Sequence, residues 1–198
     1  MGRTALIVVD VQRDFCPGGA LPVPAGDEVV GPINELVQAA ECGEQPVLYT
    51  RDWHPPDHCS FRSQGGQWPE HCVRETPGAQ FHPDLLLSRN GTVISKAVDR
   101  DAEAYSGFQN TKLDELLRGR AVSRVIVAGL ATDYCVKATA LDALARGYEL
   151  WVVREAVRGV DVHPGDSQRA LDEIRGKGGR VVGLEEAKAA LRQGAGMQ

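Results

Sequence analysis

A carboxylate, a carboxylate–imidazole pair, an amine and a thiol each follow a short apolar run in this 198-residue sequence. Asp10 follows Ala5-Leu6-Ile7-Val8-Val9, and Asp52 and His54 follow Pro46-Val47-Leu48-Tyr49-Thr50. Lys96 follows Val93-Ile94-Ser95, and Cys135 follows Val125-Ile126-Val127-Ala128. Taken singly, each has a plainer use. Aspartate caps helices and turns chains, lysine sits at surfaces, and a free cysteine behaves as a small buried hydrophobe. Together at successive strand ends they offer an acid, a metal-type pair, a base and a nucleophile. With Thr132 as helix N-cap, Cys135 falls near the third helical position. Backbone N–H groups there lack helical partners and carry positive potential, which favours thiolate. An aspartate in reach takes the thiol proton and later passes it to a departing amine. The same free N–H groups suit a tetrahedral oxyanion.

A second group lies in Asp52-Trp53-His54, His58 and Trp68-Pro69-Glu70-His71-Cys72. Asp-x-His in an extended segment puts both side chains on one side. With His71 returning from the loop, the set is two imidazoles and a carboxylate. Such a set fits a divalent transition ion, zinc first and iron or manganese next, and leaves coordination positions open. The plainer use of His54 and His58 is as hydrogen-bonding loop residues. Cys59 and Cys72 lack the second pair that a structural zinc site needs.

The elements that must position these groups alternate. Strand-like runs at 5–9, 46–50, 93–95, 125–128, 150–153 and 181–182 are separated by helical patterns at 27–42, 112–117, 133–146, 165–176 and 185–191. Continuously apolar strands between helices predict a three-layer, doubly wound α/β fold: a mostly parallel six-stranded sheet with helices on both faces. Ligands of such sheets bind at the carboxyl ends of the strands, near the switch in winding. Residues 51–91 break the rhythm. They hold five of the eleven prolines, four of the five histidines and two of the three tryptophans. A long loop in a compact domain is usually functional, so the chain reads as a single domain over 1–198 with a metal-binding loop insertion at 51–91.

Charge and composition narrow the class. The net charge of −5 argues against a nucleic-acid partner. No apolar run reaches the roughly 18 residues of a membrane helix, and the N-terminus has no signal-peptide pattern. Five cysteines at irregular spacing, without a secretion signal, predict reduced thiols and a cytoplasmic setting. No G-x-G-x-x-G follows the first strand, which excludes a dinucleotide-binding motif there. The sequence sets no oligomeric state, and a homo-oligomer is compatible with it.

The sequence resembles the nicotinamidases, also called pyrazinamidases, of the isochorismatase-like cysteine hydrolases. The resemblance runs over nearly the whole chain in ordered segments: Val9-Asp10-Val11-Gln12-Arg13-Asp14-Phe15-Cys16-Pro17-Gly18-Gly19, Thr50 to Phe61, Trp68 to Val73, Gly78 to His82, Tyr105-Ser106-Gly107-Phe108 and Gly129 to Val136. The Trp-Pro-x-His-Cys-Val segment is the most telling. The resemblance implies a catalytic triad of Asp10, Lys96 and Cys135, and a metal held by Asp52, His54 and His71. Some relatives add a ligand from this loop, which here falls on His58 or Ser60. It implies aromatic walls from Phe15, Trp68 and Tyr105, a substrate contact at Ala131, and an oxyanion hole from the N–H groups of Ala131 and Cys135 beside a cis Leu130–Ala131 peptide. The activity it implies is hydrolysis of nicotinamide to nicotinate and ammonia, with pyrazinamide also accepted. One departure is Ala97, where many relatives carry glycine.

Two alternatives stand beside this expectation. A related amidase acting on a carbamoyl or ureido compound would share the triad but generally lack the Asp/His/His set. A non-catalytic protein binding a metal or nicotinamide would have no use for aspartate, lysine and cysteine at one sheet edge.

Overall fold

The computed structural model describes residues 2–193. The Gly194-Ala195-Gly196 segment, expected from its composition to fray, lies outside them. Six strands form one sheet: β1 (Arg3–Val9), β2 (Val47–Asp52), β3 (Thr92–Lys96), β4 (Val122–Leu130), β5 (Glu149–Arg158) and β6 (Arg180–Val182). Their order is β3-β2-β1-β4-β5-β6, and every neighbouring pair is parallel. The expected three-layer arrangement follows from side-chain alternation. In β1, Leu6 and Val8 pack towards α1 (Val30–Cys42) and α5 (Leu184–Arg192). Ala5, Ile7 and Val9 pack on the other face, with α2 (Leu113–Gly119), α3 (Lys137–Ala145) and α4 (Asp166–Gly176). A strand covered on both faces favours apolar side chains throughout, which is why β1 reads as an unbroken apolar run from Ala5 to Val9.

The helices dock by stripes of matching period. On α1 the buried residues include Ile33, Leu36, Val37 and Ala40, the i, i+3, i+4, i+7 pattern. Each fully buried Ile or Leu in such a stripe contributes roughly 1.5–3 kcal/mol. Two helix starts differ from the sequence reading. The segment expected as helix from residue 27 opens with a 3₁₀ turn at Gly26–Val29. The segment expected as helix from residue 133 opens with a π turn at Thr132–Val136 before α3 begins.

Winding reverses between β1 and β4, so their carboxyl ends flank the crevice where doubly wound sheets bind ligands. The two strands approach closely there. Gly129 has φ +121°, and a Cβ on it would overlap the Val9 carbonyl. Residues 53–91 add no strand to the sheet. They are folded by isolated bridges, His54 with Val73 and Phe61 with Trp68, and by 3₁₀ turns at Arg62–Gln64 and Pro77–Ala79. Among the described residues no helix is long and apolar enough to cross a membrane.

Candidate active site

The strand ends bring Asp10, Lys96 and Cys135 into contact. Lys96 Nζ lies 3.0 Å from Asp10 Oδ2 and 3.4 Å from Cys135 Sγ. It also lies 2.5 Å from Asp52 Oδ1 and donates to the Ala104 carbonyl at 3.1 Å. Sheet register produces part of this, because Asp52 and Lys96 are paired neighbours on β2 and β3. Asp10 Oδ1 accepts the Thr50 hydroxyl at 2.6 Å. All these side chains are buried, Asp10 completely.

Burial governs their proton affinities. It pushes the Cys135 thiol well above its usual value; Lys96 pulls the other way, while Asp10 and Asp52 add to the rise. It also raises the Asp10 carboxyl against the pull of Lys96 and Thr50. Lys96 is held charged: burial disfavours its ammonium, but Asp10, Asp52 and Cys135 outweigh that. For Asp52, burial is overcome by Lys96 and the neighbouring imidazoles, which hold it below the ordinary carboxylate range. The expectation of a thiolate favoured at a helix start therefore meets an opposing effect. Thr132 is buried inside the π turn, and the N-cap position is Ala131, with no side-chain cap. Desolvation of Cys135 thus opposes the helix terminus.

Asp52, His54 and His71 also converge, with one ligand atom from each lying within 4.8 Å of the others. His54 Nδ1 faces the Ala97 carbonyl at 3.2 Å, and His71 Nδ1 faces the Pro69 carbonyl at 2.8 Å. A carbonyl partner fixes the proton on Nδ1 and leaves Nε2 with a lone pair. His54 Nε2 is buried without a hydrogen-bond partner, and burial lowers the His71 pKa, keeping that ring neutral. These donors fit a divalent transition ion. His58 stacks on His54 with ring centroids 4.2 Å apart. Its Nδ1 accepts from the Ser60 hydroxyl at 2.7 Å and from the Ser60 N–H at 3.3 Å, and its Nε2 faces the Ala102 carbonyl at 3.3 Å. His58 and Ser60 thus lie beside the trio, bonded to each other.

Loop residues hold the trio in place. The His54 N–H donates to the Cys72 carbonyl at 3.0 Å and the Arg74 N–H to the His54 carbonyl at 2.8 Å, which returns His71 to His54. Asp14 Oδ2 accepts the Cys72 N–H at 2.7 Å. Ala97 adopts φ +49°, a left-handed conformation that glycine would enter freely, and presents its carbonyl to His54.

Between these groups lies a small cavity. Phe15, Trp68, Tyr105 and Ala131 line it, together with Asp52, His71 and Cys135. Trp68 Nε1–H donates to the Tyr105 hydroxyl at 3.0 Å, and Tyr134 packs edge-on to Trp68 at 5.3 Å. The Leu130–Ala131 peptide is cis. The Ala131 carbonyl accepts the N–H groups of Tyr134 and Val136, the residues on either side of Cys135. Cys16, Cys42, Cys59 and Cys72 are also unpaired thiols, none of them lining this cavity.

Several residues of the site escaped the sequence reading. Leu21, Val23, Tyr134 and Val160 also line the cavity. Gln12 is fully buried and clamps the Asp52 backbone: its Oε1 accepts the Asp52 N–H, and its Nε2 donates to the Asp52 carbonyl, both at 2.8 Å. Thr50 orients Asp10. The signal for Gln12, Thr50 and Tyr134 lay in their places within the quoted motifs. Val160 had none.

An all-parallel sheet with this strand-end constellation has known relatives. Residues 4–186 match the family described as the isochorismatase domain, and the chain belongs to that family. Within it the relatives include amide hydrolases of several kinds, nicotinamidases among them. The nicotinamidase of Escherichia coli K12 is 40% identical, over 94% of this chain and 97% of its own. The nicotinamidase/pyrazinamidase of Mycobacterium tuberculosis is 41% identical, over 86% of this chain and 94% of its own. The crystal structure of the Pyrococcus horikoshii pyrazinamidase in complex with zinc is similar with a TM-score of 0.88 and 50% identity, covering 91% of this chain and 99% of that one.

Proposed function

We propose that this protein hydrolyses nicotinamide to nicotinate and ammonia, and pyrazinamide by the same route, through a thioester on Cys135. One observation carries the reading. A single aromatic-walled cavity is lined by Cys135, which contacts Lys96 beside Asp10, and by Asp52 and His71 of the ligand trio.

The chain's own groups account for the steps. Asp10 takes the proton from Cys135 Sγ, and Lys96 holds both partners in place. The sulfur attacks the carboxamide carbon, and the N–H groups of Ala131 and Cys135 receive the negative oxygen. Asp10 returns its proton to the amide nitrogen as the C–N bond breaks and ammonia leaves. Asp10 then takes a proton from water, whose oxygen attacks the thioester carbon; the C–S bond breaks, Asp10 returns that proton to the sulfur, and the acid leaves, giving its own proton to solvent as nicotinate. Asp52, His54 and His71 would hold a divalent ion, with zinc first and iron or manganese as further fits to the same donors. When bound there, the ion supplies a Lewis acid for the lone pair of a ring nitrogen. A carbamoyl or ureido substrate has no ring nitrogen to use it.

The test is ammonia release from nicotinamide, with metal analysis of the same sample. Cys135→Ala should abolish turnover and leave metal content unchanged. Full activity in that variant would refute the nucleophile, and unchanged kinetics in verified metal-free protein would refute the metal's role.

A further inference from the structure

The segment that closes the cavity beside the thiol belongs to none of the motifs above. Leaving β5 at Arg158, the chain continues as Gly159-Val160-Asp161 before α4 begins at Asp166. Val160 lines the cavity with Tyr134 and Cys135. Two consecutive loop N–H groups donate to one side chain: Val160 to Asp133 Oδ1 at 2.9 Å, and Asp161 to Asp133 Oδ2 at 2.8 Å. Asp133 stands in the π turn, two residues before Cys135. The far side of the loop is tied to α4. Asp161 accepts the Ser167 N–H at 2.8 Å and the Ser167 hydroxyl at 2.6 Å. Crowding explains Gly159: a Cβ there would overlap Ser167 Oγ and come within 3.0 Å of Asp133 Oδ1.

We propose that Asp133 is a positioning residue and Val160 a specificity-determining one. The Asp133 carboxylate ties the 159–161 loop to the turn that carries Cys135, and so holds Val160 as a wall against the substrate ring. Only an ionised carboxylate offers an acceptor oxygen to each of two N–H groups; an amide offers one acceptor and turns donors towards the other N–H. Charge-assisted bonds of this kind are about twice as strong as neutral ones. The bonds run to loop backbone, so they fix where the wall stands, while the side chain at 160 fixes how much ring it admits. The proposal rests on the nicotinamidase reading for the identity of that ring, and not for the latch itself.

The experiment combines steady-state kinetics on nicotinamide with amide hydrogen exchange. Asp133→Ala should raise KM about tenfold, the effect of a lost apolar wall, with kcat within about threefold of the parent. Val160→Ala should raise KM by a similar factor and improve the relative use of a ring-methylated nicotinamide. Because both substitutions lose the same wall, the double variant should have a KM no higher than Asp133→Ala alone. Exchange at the Val160 and Asp161 amides should quicken about tenfold or more in Asp133→Ala. Asp133→Asn, which keeps the volume and one acceptor, should fall between and decides the matter if the alanine variant does not fold. Multiplicative KM effects in the double variant, a loss confined to kcat, or unchanged amide exchange would each overturn the proposal. If the parent protein releases no ammonia from nicotinamide, the function fails and the latch stands or falls on the exchange data alone.

Discussion

Asp10→Asn separates the state of the thiol from the work of the carboxylate. In the parent, ligand atoms of Asp10 and Cys135 lie within 4.8 Å of each other, both buried. Two unit charges at that separation, with an effective dielectric constant of about 20, repel by about 3.5 kcal/mol. The amide removes this repulsion and leaves the Lys96 ammonium beside the sulfur at 3.4 Å. That shift enlarges the thiolate population by about two to three powers of ten while the thiol is mostly protonated. Lower basicity makes each thiolate a weaker nucleophile and cancels nearly half of the gain, so alkylation by iodoacetamide should rise about twentyfold. Turnover should move the other way, falling about a thousandfold, because the carrier that protonates ammonia is gone. The amide fits the site with its oxygen towards Lys96 and its NH₂ towards the Thr50 hydroxyl. The assay follows labelling of Cys135 by mass spectrometry beside ammonia release, with Cys135→Ala as the blank. Unchanged or slower labelling in Asp10→Asn would refute the electrostatic reading, and retained turnover would refute Asp10 as the proton carrier.

Three further outcomes are expected. His71→Ala should lose at least about tenfold in metal affinity, measured by competition with a chelator, while circular dichroism stays unchanged. Lys96→Met leaves Asp10 and Asp52 facing each other without a cation, which costs about 3–5 kcal/mol and should lower Tm in metal-free protein by about 10 °C. In that variant burial and mutual repulsion raise the folded carboxyl pKa values above the unfolded ones. Stability is then retained at low pH and lost as pH rises through the folded values, so the Tm deficit should widen from pH 5 to pH 8; a deficit that narrows would contradict the arrangement. Ala97→Gly relieves a left-handed alanine worth about 1–2 kcal/mol, part of which glycine's greater unfolded freedom takes back. Its Tm should rise by about 1–3 °C, read by differential scanning calorimetry, with metal content unchanged.

The sheet was legible because its strands are buried on both faces, which leaves runs such as Ala5-Leu6-Ile7-Val8-Val9 with no polar interruption. Asp10 and Lys96 were legible for the converse reason, each a polar residue directly after such a run, and Asp52 and Cys135 follow theirs a short distance on. The cavity walls were only partly legible. Phe15, Trp68 and Tyr105 required the resemblance, and Leu21, Val23 and Val160 carry no chemical signature that distinguishes a wall from a core. Their role depends on where loops return, and that is fixed by bonds such as Asp133 to the Val160 N–H. Gln12 was hidden differently. Its amide bonds to the Asp52 backbone across forty residues of sequence, a pairing no local pattern reports.

The opposition between burial and the helix start at Cys135 clarifies how the site works. Field arguments at a helix start treat the sulfur as if its proton went to water, and burial opposes that loss. Burial raises Asp10 as well. A proton moving from Cys135 to Asp10 neutralises one buried charge as it creates another, so the desolvation that resists each separate ionisation largely cancels in the transfer. What remains is set by Lys96, which lies within 3.0 Å of the carboxylate and 3.4 Å of the sulfur and favours whichever of them is charged. Asp52 keeps that lysine protonated from the other side at 2.5 Å. Its second oxygen lies 3.7 Å from His54 Nε2, beyond hydrogen-bond reach. In a buried site of this kind an internal transfer ionises the nucleophile more readily than loss of its proton to water. The burial that raises the Cys135 thiol is therefore compatible with its serving as the nucleophile, provided that Asp10 is the base.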